Sequence, residues 1–72
     1  MRTLEPVKME NVRKKRGMTR AALARAAGMQ AGTITWIETG RFIPYESQLA
    51  KLAEALGVDD PESLLEPLGA VA

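Results

Sequence analysis

The 72-residue sequence contains neither cysteine nor histidine. It can therefore form no disulfide and no thiolate- or imidazole-ligated metal site, so packing alone must hold its core, and we expect no cofactor. No uncharged run approaches the roughly 18 apolar residues that a membrane helix needs. The amino end also lacks the apolar stretch of a secretory signal, which favours a cytoplasmic protein without membrane contact.

Two features of size and charge narrow the class of protein. A chain this short buries only roughly 60% of the surface that it exposes when unfolded, which leaves room for one small domain. Its net charge of +1 conceals a charge of +6 up to Arg41, followed by −5 after it. This asymmetry fits a basic surface that meets a polyanion and an acidic surface that faces away. Charges interleaved over a solvated surface are the alternative.

Helical signals dominate the chain, because Ala and Leu are the commonest of its apolar residues. Apolar residues spaced three and four apart, with terminating glycines or a Pro after an N-cap, predict five helices over residues 6–16, 20–27, 30–39, 46–56 and 61–65. We therefore predict a compact all-α domain over residues 6–66, with an N-terminal tail over 1–5 and a C-terminal tail over 67–72.

A specific pattern lies between Gly17 and Gly40, in the segment GMTRAALARAAGMQAGTITWIETG. It resembles the helix-turn-helix of the Cro/C1-type (phage-repressor-like, XRE-type) DNA-binding regulators, with the motif over about residues 19–39. The resemblance continues through residues 44–65 and implies a five-helix lambda-repressor-like fold. It also implies a sequence-specific transcriptional regulator, a repressor, that is encoded by a prokaryote or phage and is nucleoid-associated when bound.

In this family the second motif helix reads base edges in the major groove, whose width admits an α-helix. The resemblance assigns that role to five outward positions: Gln30, Ala31, Gly32, Thr35 and Trp36. Gln30 can form two hydrogen bonds with adenine, and Ala31 can contact a thymine methyl. Gly32 either lets the backbone approach DNA closely or marks a position where no particular side chain is required. Trp36 contacts the groove, packs against Phe42 or joins a protein interface.

The resemblance places five further residues at the DNA backbone: Thr19, Arg20, Thr33, Arg41 and Tyr45. Arg20 stands at the start of a helix, where a cation opposes the helix dipole, and a bound phosphate would explain this placement. Thr19 has an equally good role as an N-cap. Tyr45 stands where the family commonly has a capping serine, which predicts a weak start for the helix over residues 46–56.

The basic run over residues 13–16 spreads around the whole helix and cannot form one stripe. By resemblance, Arg13 pairs with Glu38 in a structural ion pair. The other three cations offer long-range attraction to a polyanion or form a solvated face, and the solvated face is favoured for most of them. A domain of this size reads few base pairs, so we expect a homodimer on half-sites roughly 34 Å apart. Leu65, Leu68 and Val71 are the candidate dimer contacts.

Two other classes of function are alternatives to DNA binding. The same fold can serve as an antitoxin or adaptor, whose acidic half docks a basic protein partner such as a toxin or a polymerase. The small reading residues Ala31 and Gly32 favour this alternative, whereas the arginines around the motif oppose it. An enzyme is disfavoured, because without His, Cys or a metal cluster it would need a carboxylate or lysine site, and the chain is too short to enclose a pocket around one.

Overall fold

The computed structural model describes residues 7–67, and its regular secondary structure is helical apart from one isolated antiparallel bridge between Val7 and Pro67. Its elements are α1 Met9–Lys15, α2 Arg20–Ala27, α3 Ala31–Glu38, α4 Glu46–Leu56 and a 3-10 helix Pro61–Leu65. The prediction of an all-helical domain is confirmed, and α2 and α4 have the predicted bounds. The fifth segment is a 3-10 helix of five residues, so the α-helices number four in the described part.

Helix α1 begins later than the periodicity predicts. The backbone N–H of Val7 donates to the carbonyl of Glu38 at 3.0 Å, and that of Lys8 donates to the carbonyl of Glu66 at 2.8 Å. These bonds tie the chain to distant segments, and the helix starts only after them, at Met9. Residues 1–6, with the predicted tail and Pro6, lie outside the described residues, as do residues 68–72. Pro67, assigned to the C-terminal tail, pairs with Val7 instead.

The turn between α2 and α3 follows from the residues at both ends of α2. The hydroxyl of Thr19 accepts a hydrogen bond from the N–H of Ala22 at 3.0 Å, which caps an otherwise unpaired donor at the helix start. Gly28 ends the helix in the left-handed region at φ +71°, where a residue without a Cβ avoids strain. The N–H of Met29 then bonds back to the carbonyl of Ala24 at 2.8 Å. Helix α3 therefore starts in a new direction within three residues.

The core lies between α2, α3 and α4, with the 3-10 helix packed on α4 and α1. The largest apolar side chains that it buries completely are Met9, Leu23, Ile34, Ile37, Leu52, Leu56 and Leu64. Buried alanines at positions 24, 27 and 53 let the helices approach closely. Because α3 directs Ile34 and Ile37 into this core, its opposite face is left outward. No helix within residues 7–67 is long and apolar enough to cross a membrane.

Candidate nucleic-acid interface

The outward face of α3 holds the residues that the sequence assigns to base reading. Gln30, Ala31 and Gly32 are exposed at its first turn, and Thr35 is half-buried. Gln30 is the N-cap through its backbone alone, so its side chain is not spent on capping. The hydroxyl of Thr35 donates to the carbonyl of Ala31 at 3.3 Å, within the helix. The structure thus leaves these positions open on the side of α3 that faces away from the core.

Trp36 extends this surface toward the loop after α3. Its side chain is 58% exposed, although its carbonyl accepts the N–H groups of Arg41 and Phe42 at 2.8 and 3.2 Å. Phe42 packs its ring edge-on against Tyr45, with the ring centres 6.5 Å apart. The Trp36 indole is therefore held on a fixed backbone but leaves much of its flat face open.

The candidate phosphate contacts differ in how exposed they are. Thr19 is exposed and its oxygen already caps α2, although its hydroxyl proton stays available for donation. Arg41 is exposed and makes no ion pair with any residue between 7 and 67. Tyr45 is 72% exposed at the N-cap of α4. Thr33 is half-buried on the first turn of α3.

Helix α4 has a firmer start than a tyrosine N-cap predicts. The side-chain carbonyl of Gln48 accepts the backbone N–H of Tyr45 at 2.9 Å, which satisfies a donor at the helix end. The sequence contains the signal for this bond, because a glutamine three residues after an N-cap is half of a capping box.

A buried ion pair joins α1 to the end of α3. Arg13 Nε donates to Glu38 Oε2 at 2.6 Å, and Arg13 Nη2 donates to Glu38 Oε1 at 3.2 Å. The third guanidinium nitrogen of Arg13 donates to the carbonyl of Met18 at 2.8 Å. The hydrogen bond with Glu38 raises the pKa of Arg13 above its usual value, although burial opposes that rise. Both side chains are almost inaccessible, so this pair fixes α3 to the rest of the domain.

Arg20 joins the same cluster instead of standing free at the start of α2. Its Nε donates to Glu38 Oε1 at 2.9 Å, and its Nη2 lies 3.8 Å from Glu10 Oε2. Glu10 also pairs with Lys14 at 3.1 Å, one helical turn away. Glu10 is absent from the residues that the sequence predicts for the site, although its four-residue spacing from Lys14 is a recognisable signal for an ion pair. Its contact with Arg20 has no local signal in the sequence.

The candidate dimer residues fall into two groups. Leu65 is partly buried against the core, next to the fully buried Leu64. Leu68 and Val71 lie outside the described residues.

A family model that matches most of the chain shows which family it belongs to. A family model described as a helix-turn-helix domain matches residues 8–65, which include every helix of the structure. The chain belongs to the Cro/C1-type helix-turn-helix family. Members of this family are DNA-binding transcription regulators rather than enzymes. No curated protein sequence matches the chain significantly.

Solved structures agree with this membership. The clp gene regulator ClgR of Corynebacterium glutamicum is 30% identical over 89% of this chain and 83% of its own, with a TM-score of 0.74. The P22 c2 repressor, solved with a synthetic operator, is 29% identical over 81% of this chain and 86% of its own, with a TM-score of 0.75. The restriction-modification controller C.AhdI of Aeromonas hydrophila shares the fold at 24% identity, 79% and 85% coverage and a TM-score of 0.73. This Cro/C1-type chain therefore has the fold of repressors and controllers.

Proposed function

We propose that this chain is a sequence-specific regulator that represses transcription by binding double-stranded DNA, with the outer face of α3 in the major groove. The observation that carries the proposal is the division of α3 into two faces. Ile34, Ile37 and Glu38 are buried, whereas Gln30 and Trp36 are exposed, and the backbone N–H of the exposed Arg41 donates to the Trp36 carbonyl. An eight-residue helix supported in this way fits the major groove, whose width is about 12 Å.

The side chains divide into two roles in this proposal. Base edges meet Gln30, Ala31, Gly32, Thr35 and Trp36. Backbone phosphates meet Thr19, Arg20, Thr33, Arg41 and Tyr45, and these contacts supply much of the affinity but carry no sequence information. Because one copy covers only a few base pairs, the regulator acts as a homodimer on a two-fold site. Leu65 is the described residue that we assign to the dimer contact, together with Leu68 and Val71.

Fluorescence of Trp36 tests this proposal without a label, because it is the chain's one tryptophan and lies on the reading helix. The protein is titrated with mixed-sequence duplex DNA at low and at moderate salt. We expect a saturable spectral change, with an affinity that falls steeply as salt rises, by a log–log slope of about 0.9 per phosphate contact. If the spectrum stays unchanged and DNA does not co-migrate with the protein at low salt, the proposal is wrong.

A second candidate function is the antitoxin or adaptor role. The observation that favours it is an open groove between the start of α4 and the 3-10 helix, where Glu46, Asp60 and Glu62 surround Leu49 and Pro61. Such a groove suits a basic partner with an apolar side chain.

Charge reversal at two sites separates the two functions. Arg41→Glu, at an exposed arginine without an ion pair among residues 7–67, would weaken DNA binding by a regulator but leave a partner at the groove in place. Glu62→Lys would do the opposite. A protein whose DNA affinity survives Arg41→Glu is not the regulator that we propose.

A further inference from the structure

Glu38 is bonded to two arginines, although one is enough to neutralise its buried carboxylate. Its carboxylate is fully inaccessible and is already neutralised by two hydrogen bonds from Arg13, which is itself 7% exposed. A paired arginine is the usual solution for a buried carboxylate, because the planar guanidinium donates to both oxygens. Arg20 is a second arginine on this same carboxylate. It is therefore surplus to the neutralisation of Glu38.

The way in which Arg20 is held differs from that of Arg13. Arg20 bonds to Glu38 through Nε alone, at 2.9 Å, and its side chain remains 39% exposed. The carboxylate beside its Nη2, that of Glu10, is 3.8 Å away, which is too long for a hydrogen bond. One edge of the guanidinium is thus fixed by the domain, while the Nη edge carries donors that no residue between 7 and 67 takes up at hydrogen-bond distance.

We propose that Glu38 is a positioning residue for DNA binding, which holds Arg20 by its Nε so that the Nη edge is aimed at a backbone phosphate. The inference rests on the proposed function and goes further, because it gives one buried carboxylate two tasks. Through Arg13 it fixes α3 to α1, and through Arg20 it links the reading helix to a phosphate contact at the first residue of α2.

Lysine separates this role from a plain positive charge. A guanidinium can donate to a carboxylate from Nε and to a phosphate from Nη at once, in a fixed plane. An ammonium group keeps the charge but is a point donor on a flexible stem. If only the charge of Arg20 matters, Arg20→Lys binds DNA as the wild type does. If its orientation by Glu38 matters, Arg20→Lys loses much of the DNA affinity that Arg20→Gln loses.

The experiment measures affinity for duplex DNA against salt concentration for the wild type, Arg20→Lys and Arg20→Gln. Arg25→Lys on the exposed side of α2 is the matched control. We expect Arg20→Gln to bind about tenfold more weakly and to lower the salt slope by about 0.9, the value for one phosphate contact. Arg20→Lys should weaken DNA binding by more than half as much as Arg20→Gln does, on a logarithmic scale. Arg25→Lys should weaken it less than twofold. All variants should unfold within a few degrees of the wild type, since Arg13 still neutralises Glu38.

Each other outcome has a distinct meaning. If Arg20→Lys binds as the wild type does, orientation by Glu38 is refuted, although Arg20 still supplies charge. If Arg20→Gln lowers the melting temperature but changes neither affinity nor salt slope, Arg20 only supports Glu38 and the inference is wrong. If the wild type itself shows no salt-dependent binding to duplex DNA, the proposed function fails first.

Discussion

Replacement of Gly32 by alanine should stabilise this domain. A glycine within a helix costs about 0.5 to 1 kcal/mol relative to alanine, because it loses more backbone freedom on folding. Gly32 lies at the second position of α3, outside the left-handed region in which a Cβ is strained. A Cβ built there meets no other atom within 4 Å. The substitution therefore gains helix propensity without strain or collision.

The expected size of the effect can be measured by thermal unfolding. For a domain of 60 to 100 residues, 1 kcal/mol corresponds to about 4 to 8 °C in melting temperature. Gly32→Ala should therefore raise the melting temperature by about 2 to 8 °C. Far-ultraviolet circular dichroism during heating measures this shift.

Gly28→Ala is the matched control for this prediction. A Cβ at Gly28 also meets nothing within 4 Å, but the residue has φ +71°. The left-handed conformation costs an alanine roughly 1 to 2 kcal/mol, so this variant should melt at a lower temperature. Shifts of the same sign in the two variants would refute the reasoning, because backbone conformation is the difference on which it depends. In DNA titrations, the added methyl of Gly32→Ala should weaken binding if the backbone approaches base edges at this point.

Three further predictions concern the core and the charge cluster. Leu52→Ala removes a fully buried side chain and should lower the free energy of unfolding by about 2 to 5 kcal/mol, measured by urea unfolding with circular dichroism. Glu38→Gln leaves buried Arg13 without its counter-charge and should cost about 3 to 5 kcal/mol in urea unfolding; a loss below 1 kcal/mol would contradict a structural role for the pair. Glu10→Gln removes the carboxylate nearest the free edge of Arg20 and should tighten DNA binding by a few-fold. Glu54→Gln on α4 is its control for net charge, and an equal gain there would show that the contact itself is irrelevant.

The sequence predicts the helices best where their signals are local. Thr19 and Gly28 bracket α2 at the predicted residues, because an N-cap hydroxyl and a left-handed glycine act within three or four positions of the helix that they bound. The start of α1 could not be predicted in this way. It depends on bonds from Val7 and Lys8 to carbonyls 31 and 58 residues further along the chain. The 3-10 form of the last helix likewise reflects a segment too short to settle into α geometry.

In the candidate site, too, the sequence predicts what depends on local signals and misses what depends on contacts between distant residues. The outward face of α3 follows from the three-residue spacing of Ile34 and Ile37, because the buried side of a helix determines its free side. The contact of Arg20 with Glu38 joins residues 18 positions apart and depends on how α2 crosses α3. The sequence therefore assigns Arg20 to a phosphate from the resemblance and from its place at a helix start, and gives no sign that a buried carboxylate holds it.

The bridge between Val7 and Pro67 brings the two ends of the described chain together at one corner of the domain. The Lys8–Glu66 ion pair, at 2.7 Å, reinforces that corner. Residues paired across an antiparallel bridge lie about 5 Å apart. A host protein that received this domain within a surface loop would thus need to open that loop by only about 5 Å. We therefore expect this domain to tolerate insertion into a loop of another protein as well as attachment at one end.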